Sequence, residues 1–154
     1  MSRTGWSKLL GVAGLAISAY LTATHYLAGE VPLVCATGGV VNCEEVTSSA
    51  QSSIGPLPVA VLGLVWFGVW LALCVAPRGA FDGRVPLVQL AWAAAGLLAI
   101  FYLIYVELFV VGAICLWCTA VHAAGIALFL IAVADATQVE EDGVGVPVTS
   151  GRRS

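Results

Sequence analysis

The sequence predicts an all-α integral membrane protein: a four-transmembrane-helix bundle with a cysteine-containing extracytoplasmic loop between helices 1 and 2. Its 154 residues are 60% hydrophobic and only 10% charged, a composition that excludes an ordinary water-soluble domain. Four apolar runs each approach the roughly 20 residues that one membrane span requires. All six Lys and Arg residues lie before or near the start of the first run, between the second and third runs, or after the fourth run. The net charge of −3 gives no reason to expect nucleic acid as a partner.

The first predicted span covers residues 9–28 and follows a short basic start. It resembles a secretory signal peptide, but it is longer than the usual apolar core and no clear cleavage site follows, so we expect it to remain. Residues 29–57 change to Gly, Ser, Thr, Asn and Glu, which predicts an outer loop. Loops of this length without regular structure usually carry function.

Three more spans follow the loop. Pro56 and Pro58 open a span at about 58–77, because proline is tolerated in the first turn of a helix. Two further apolar runs predict spans at about 87–108 and 113–134. Residues 1–135 then form the membrane domain, and the polar, acidic residues 136–154 are predicted to be a disordered cytoplasmic tail.

The distribution of basic residues orients the predicted bundle. Four alternating spans bring the N-terminus, the turn near Arg84 and the tail to one side, and the basic residues all lie there. Because basic loops remain cytoplasmic, this side is the interior and the long loop is extracytoplasmic. Thiols at the outer face meet an oxidising compartment, where disulfides persist.

Two cysteine pairs are predicted to share that outer face. Cys35 and Cys43 lie in the loop, where they are able to close a small disulfide ring or simply staple the loop. Cys115 and Cys118 form a Cys-x-x-Cys motif at the start of the last span, so both side chains lie on one helix face. The helix start stabilises a thiolate, which is the nucleophile in disulfide exchange. Metal binding is disfavoured because these ligands lie partly in lipid.

Together the pairs predict a relay. An extracytoplasmic protein exchanges with the loop pair, the loop pair exchanges with the membrane pair, and the electrons then need a lipid-soluble acceptor such as a quinone. Cys74, near the opposite end of the second span, is predicted to be a small buried hydrophobe.

The full pattern resembles the vitamin K epoxide reductase family. The matching features are the Cys-x7-Cys loop, Ser49, the Gly-Pro-Leu-Pro run that enters the second span with Gly63 after it, and the Cys-x-x-Cys that opens the last span. The resemblance covers essentially residues 9–134. Within this family, the sequence is similar to prokaryotic-type members without a fused thioredoxin domain.

The resemblance implies a helical bundle around a quinone pocket, capped by the cysteine loop. By analogy, Cys118 reacts with the quinone, Cys115 exchanges with Cys43, and Cys35 meets a thioredoxin-like partner. Ser49 would hold the loop over the pocket, although it lies in a serine-rich stretch and is also readable as an ordinary loop hydroxyl.

The sequence departs from the vertebrate pattern at two positions. An asparagine at the entrance of the second span and a tyrosine four residues after the Cys-x-x-Cys are replaced by Val59 and His122. His122 lies one turn beyond Cys118 and is either a quinone-binding or proton-moving group or a packed core histidine. Trp117 is predicted to be a quinone neighbour. Glu107 is expected to face water or lipid headgroups, without a catalytic role.

The function predicted from these features is a quinone-dependent membrane thiol oxidoreductase. It would form disulfides in a separate thioredoxin-like protein and pass two electrons to menaquinone or ubiquinone. One alternative is an epoxide or quinone reductase that uses the same residues and makes hydroquinone. The other is a non-enzymatic membrane scaffold whose outer loop is stapled by disulfides.

Overall fold

The computed structural model describes residues 2–28, 30–35, 38–77, 81 and 84–144. The described chain is mainly helical, and its α-helices are α1 (Arg3–Tyr26), α2 (Cys43–Ser48), α3 (Val59–Val75), α4 (Val85–Tyr105) and α5 (Leu116–Val144). The four longer helices form the body of the molecule, and α2 belongs to the loop between α1 and α3.

Three helical stretches in the described residues are long and apolar enough to cross a membrane: Arg3–Tyr26, Val85–Val111 and Leu116–Gln138. The protein is therefore a membrane protein. The apolar helix α3 is shorter, with 17 residues, and at about 1.5 Å per residue it extends roughly 26 Å, close to the ~30 Å bilayer core. The four-span count remains a prediction.

Two helix ends differ from the sequence-based bounds. Helix α1 begins at Arg3 instead of residue 9, because the Ser2 side chain accepts a hydrogen bond from the Gly5 amide at 3.2 Å and caps the first turn. Helix α5 continues to Val144, beyond the boundary at residue 136 from which the sequence predicts a disordered tail; the tail itself stays a prediction. Ala136 is buried, and the following residues include the good helix formers Gln and Glu. Residues 145–154 lie outside the described residues.

The predicted outer loop contains short regular elements. After α2 comes a 3₁₀ turn, Ala50–Ser52, and then the strands β1 (Ser53–Ile54) and β2 (Leu57–Pro58), which pair antiparallel. Gly55 has a φ of 62° in the hairpin between them, a conformation that glycine adopts without steric cost. This hairpin is a small exception to the all-α prediction.

Away from the loop, the long helices pack through large and very small side chains. Helix α1 packs against α3 and α5, and α4 packs against α5. Phe67, Trp70 and Leu128 are fully buried in the resulting core. A Cβ atom at Gly14 would overlap the Phe67 ring, so this glycine lets α1 approach α3 closely.

A wide π-helical turn, Val106–Val111, extends α4 toward the outer loop. Its last hydrogen bond runs from the Gly112 amide to the Glu107 carbonyl at 2.9 Å, and Gly112 then reverses the chain with a φ of 73°. At the other end of the molecule, Arg3 forms an ion pair with Asp135 at 3.6 Å. The start of α1 and this part of α5 therefore share one end of the bundle.

Candidate functional site: two cysteine pairs beside a cavity

The two cysteine pairs meet in one buried cluster. Cys43, Val46, Ala113 and Cys115 form its centre, and Cys35, Trp117 and Cys118 are among the residues packed against it. We call this set the cysteine cluster. The loop and the start of α5, which are far apart in sequence, therefore bring their sulfur atoms into one region.

Backbone pairing fixes this meeting point. Val41 and Ile114 form an isolated parallel β-bridge, in which the Asn42 amide donates to the Ile114 carbonyl at 3.1 Å. The Ile114 amide donates in turn to the Val40 carbonyl at 2.9 Å. Because Cys43 and Cys115 follow almost directly in each segment, the bridge places the two cysteines beside each other.

The loop pair is joined in a disulfide. Cys35 and Cys43 are bonded, with their Cα atoms 6.1 Å apart. Cys43 is the first residue of α2, and the Asn42 side chain caps that helix by accepting a hydrogen bond from the Glu45 amide at 3.2 Å. The cap orients the first turn of α2, which carries Cys43 into the cluster.

The Cys-x-x-Cys pair consists of free thiols at the start of α5. Cys115 lies one residue before the candidate span Leu116–Gln138, and its Sγ accepts a hydrogen bond from the Cys118 amide at 3.4 Å. The Cys118 thiol, followed by the Cys118 and Trp117 amides, lowers the pKa of Cys115 from 9.0 to about 7, against the opposing effect of burial. The Cys118 thiol therefore favours the thiolate form of Cys115, which is the nucleophile in disulfide exchange.

The four cysteines differ in how accessible their side chains are. Cys43 and Cys115 are each 0% exposed, whereas Cys35 and Cys118 are partly accessible. Of these four, only Cys118 lines the large cavity that the described residues enclose. The arrangement thus has an outer sulfur, two buried sulfurs and one sulfur at the cavity.

That cavity lies between the four long helices and beneath the loop. Its volume is about 1200 Å³, which exceeds the roughly 300–1,000 Å³ of most small-molecule pockets. We call it the central cavity. Its wall is largely apolar, with Leu21, Phe67 and Ile100 among the lining side chains. It is large enough and apolar enough to hold a small-molecule ligand.

Three of the predicted non-cysteine site residues line this cavity: Ser49, Val59 and His122. Ser49 follows α2 and donates its hydroxyl to the Val46 carbonyl at 2.8 Å, so it also closes the last turn of that helix. Val59 begins α3. His122 is 6% exposed and lies one turn beyond Cys118 on α5.

Trp117, which was predicted to be a quinone neighbour, is not among the described residues that line the central cavity. Its indole Nε1 donates to the Val34 carbonyl at 2.7 Å. Its ring contacts Tyr20 edge-on at 5.2 Å. The Tyr20 hydroxyl donates to the Pro32 carbonyl and accepts from the Val34 amide, each at 2.8 Å. This Tyr20–Trp117 clasp holds the segment that leads to Cys35.

Neither the clasp nor the burial of Glu107 was predicted from the sequence. Tyr20 carried no signal beyond its place in an apolar span. Glu107 was expected at the water or headgroup surface, but it is 7% exposed and lines the central cavity with Cys118. A signal was available, since an ionisable residue inside a membrane helix is costly and often functional.

Nothing in the described residues assembles three or more His, Cys, Asp or Glu side chains into a group able to hold a metal ion. The family model that matches the chain is described as the vitamin K epoxide reductase family, and the match covers residues 6–133. No curated protein matches the chain.

Proposed function

Because the chain belongs to the vitamin K epoxide reductase family and is thus a membrane oxidoreductase, we propose that it couples disulfide formation in a thioredoxin-like protein to quinone reduction. The observation that carries the proposal is the order of the four sulfurs. Cys35 is accessible from the loop, Cys43 and Cys115 are buried together, and Cys118 lines the central cavity.

In the proposed reaction, the Cys35–Cys43 disulfide receives two electrons from a dithiol partner. The partner thiolate attacks Cys35 because Cys43 is inaccessible, and the partner's second thiol resolves the mixed disulfide. The freed Cys43 thiolate then attacks Cys115 of a Cys115–Cys118 disulfide. Cys35 resolves this second mixed disulfide, which restores the loop disulfide and leaves Cys115 and Cys118 as thiols.

The quinone is the terminal substrate in this scheme. A Cys115–Cys118 dithiol and a quinone become a disulfide and a hydroquinone, with transfer of two electrons and two protons. Cys118 is the sulfur that meets the quinone because it lines the central cavity, whereas Cys115 is enclosed by the cysteine cluster. His122 lines the same cavity and would donate a hydrogen bond to a quinone oxygen. Val59 and Ser49 would shape the pocket.

The proposal extends to topology. Four spans with both termini in the cytoplasm would put the loop and the cysteine cluster on the extracytoplasmic side. The ion pair between Arg3 and Asp135 supports a shared end for α1 and α5. The basic residues near that end support its cytoplasmic location.

Reconstitution tests the function. The full chain would be placed in vesicles with menaquinone or ubiquinone, and a reduced thioredoxin-like protein would be added outside. We expect quinone reduction matched by disulfide formation in the added protein. Cys118→Ser should lower the rate by about 1,000-fold or more, since it removes a reacting atom. Cys74→Ser is the matched control, because Cys74 lies outside the cysteine cluster.

The same preparation separates the alternatives. Turnover of an added vitamin K epoxide with thiol oxidation would favour the epoxide reductase. A Cys118→Ser protein that reduces quinone at the normal rate would remove the proposal. If the native protein shows neither reaction, and a Cys43→Ala variant never traps the partner through Cys35, the stapled scaffold is favoured.

A further inference from the structure

Glu107 is the one acidic side chain that is buried in the described part of the protein; the other buried polar residues are Ser7, Ser18 and His122. A carboxylate in a membrane-spanning helix is costly unless it is paired, hydrogen-bonded or functional. Glu107 belongs to the candidate span Val85–Val111. Its burial therefore calls for a physical reason.

The π-helical turn explains how the fold buries this residue. Within Val106–Val111, the side chains of Val106 and Glu107 are buried, whereas Leu108, Phe109 and Val110 are exposed. The i→i+5 bond between Gly112 and Glu107 widens the turn, and wide turns of this kind are frequent at functional sites. The turn thus directs its apolar residues outward and its carboxylate inward.

The contacts of the carboxylate connect it to the reactive sulfur. The Glu107 carboxyl group is electrostatically coupled to the Cys118 thiol and to Cys115. Glu107, Cys118 and His122 all line the central cavity. In the described residues, no buried side-chain nitrogen or oxygen lacks a hydrogen-bond partner. The buried carboxyl group and the Cys118 sulfur therefore face the same space, which is the proposed quinone site.

We propose that Glu107 is a catalytic base that takes the proton from the Cys118 thiol and delivers it toward the central cavity during quinone reduction. This inference rests on the proposed function and deepens it. The Cys118 S–H bond breaks, the Cys115–Cys118 bond forms, and two electrons reduce the quinone. The Cys118 proton passes through Glu107 to one hydroquinone oxygen. Cys115 releases its proton to water, and the second hydroquinone oxygen takes a proton from water.

Other titratable groups face the same space. His122 and Cys118 approach from α5, His25 from α1, Glu44 from α2 and Tyr102 from α4. Among these described groups, Glu107 and His122 are the buried bases, and Glu107 is the one that is electrostatically coupled to the Cys118 thiol. If Glu107 had only a structural role, such as anchoring the Cys115 amide, its loss would disturb every step that uses the Cys115–Cys118 pair.

The experiment separates the two half-reactions in the reconstituted full chain. One measurement follows transfer from the Cys115–Cys118 thiols to menaquinone in a single turnover over a range of pH. The other follows disulfide exchange between the loop pair and the Cys115–Cys118 pair without quinone, by quenching and alkylation. The variants are Glu107→Gln, which keeps the shape but loses the base, and Glu107→Asp, which keeps a carboxylate. Glu30→Gln, an exposed loop carboxylate, is the control.

For Glu107→Gln we expect the quinone step to slow about 100-fold or more, the usual contribution of a positioned base. Exchange between the pairs should slow much less, because Cys118 leaves as a thiolate in that step and no proton has to be delivered to the cavity. The pH dependence of the quinone step at the acidic side should disappear. Glu107→Asp should recover part of the rate, and Glu30→Gln should match the native protein.

Two results would overturn the inference. One is a Glu107→Gln protein that reduces quinone within about threefold of the native rate with the same pH profile. The other is an equal loss of both half-reactions in a folded protein. If Glu107→Gln does not fold, a normal quinone step in Glu107→Asp, whose shorter side chain moves away from Cys118, also overturns it. A native protein that reduces no quinone rejects the proposed function itself, whereas an active native protein with an active Glu107→Gln rejects only the base.

Discussion

The two ends of the helix bundle use the same kinds of helix for different purposes. In the half away from the loop, Trp70 and Leu128 fill the space between helices, and Phe67 lies between this core and the central cavity. Trp66 and Trp92 tie α3 to α4, each indole donating to the other's backbone carbonyl at 3.2 and 3.1 Å. Near the loop, the helices enclose the central cavity, and sulfur, carboxylate and imidazole groups are buried around it.

The half away from the loop therefore contributes mainly to the stability of the bundle, and the half near the loop carries the reactive groups. Close packing contributes dispersion and burial energy where side chains interdigitate, and it is lost wherever a cavity is left open. The packed half therefore compensates for the half near the loop, which has space and buried polar groups. Changes in the packed half should alter the free energy of unfolding, and changes near the loop should alter reaction rates.

The largest effect on stability is expected at Gly14. Gly14→Ala places a Cβ atom into the Phe67 ring, and such overpacking costs about 1–3 kcal/mol. Gly68→Ala is the matched control, because no atom lies within 4 Å of a Cβ there; removing a helical glycine should stabilise by up to about 1 kcal/mol. Thermal unfolding in detergent measures both. Equal unfolding temperatures for the two variants would contradict the close packing of α1 on α3.

A chemical effect is expected from the hydrogen bond that Cys118 makes to Cys115. In the reverse of the proposed exchange, the Cys115 thiolate attacks the loop disulfide, so the rate of that reverse step should rise with pH through the Cys115 pKa of about 7 and level off above it. Cys118→Ala removes the main cause of the lowered pKa, and the inflection should move up toward 9.0. Quenched alkylation across a pH series measures the rate. An unchanged inflection would show that another group stabilises the thiolate.

The smallest effect is expected at the Tyr20–Trp117 clasp. Tyr20→Phe keeps the ring but loses the hydrogen bonds to Pro32 and Val34, a loss of about 1 kcal/mol or fivefold in rate. Exchange between the cysteine pairs should slow by that factor while the unfolding temperature changes little. Tyr26→Phe, an exposed position on the same helix, should have no effect. A normal exchange rate in Tyr20→Phe would remove the clasp from the account of positioning.

The sequence was informative where local chemistry determines structure. Apolar runs bounded by proline, glycine and basic residues predicted the helices and the membrane, and the family resemblance is confirmed by the family match. The predicted proximity of the loop pair to the Cys-x-x-Cys has a structural counterpart in the cysteine cluster. The roles assigned to these residues stay predictions.

Other features depend on interactions that no local pattern encodes. Trp117 lies between the reactive cysteines in sequence, but its hydrogen bond to Val34 joins residues 83 positions apart. Glu107 was placed at the rim because it lies near the end of the predicted third span, and the π-helical turn in which its side chain is buried was not predicted. The extension of α5 through acidic residues was missed because polar composition alone does not separate a solvated helix from a disordered tail.

The most direct test of the relay asks whether Cys43 and Cys115 form a bond when their usual partners are absent. In a Cys35→Ala, Cys118→Ala protein, mild oxidation followed by mass spectrometry of linked peptides reports the pairing of the remaining cysteines, with Cys74 as an internal control. The account predicts that nearly all of the protein carries a Cys43–Cys115 disulfide, because both residues are buried in the same cluster. Free thiols at both positions in a folded protein would contradict it.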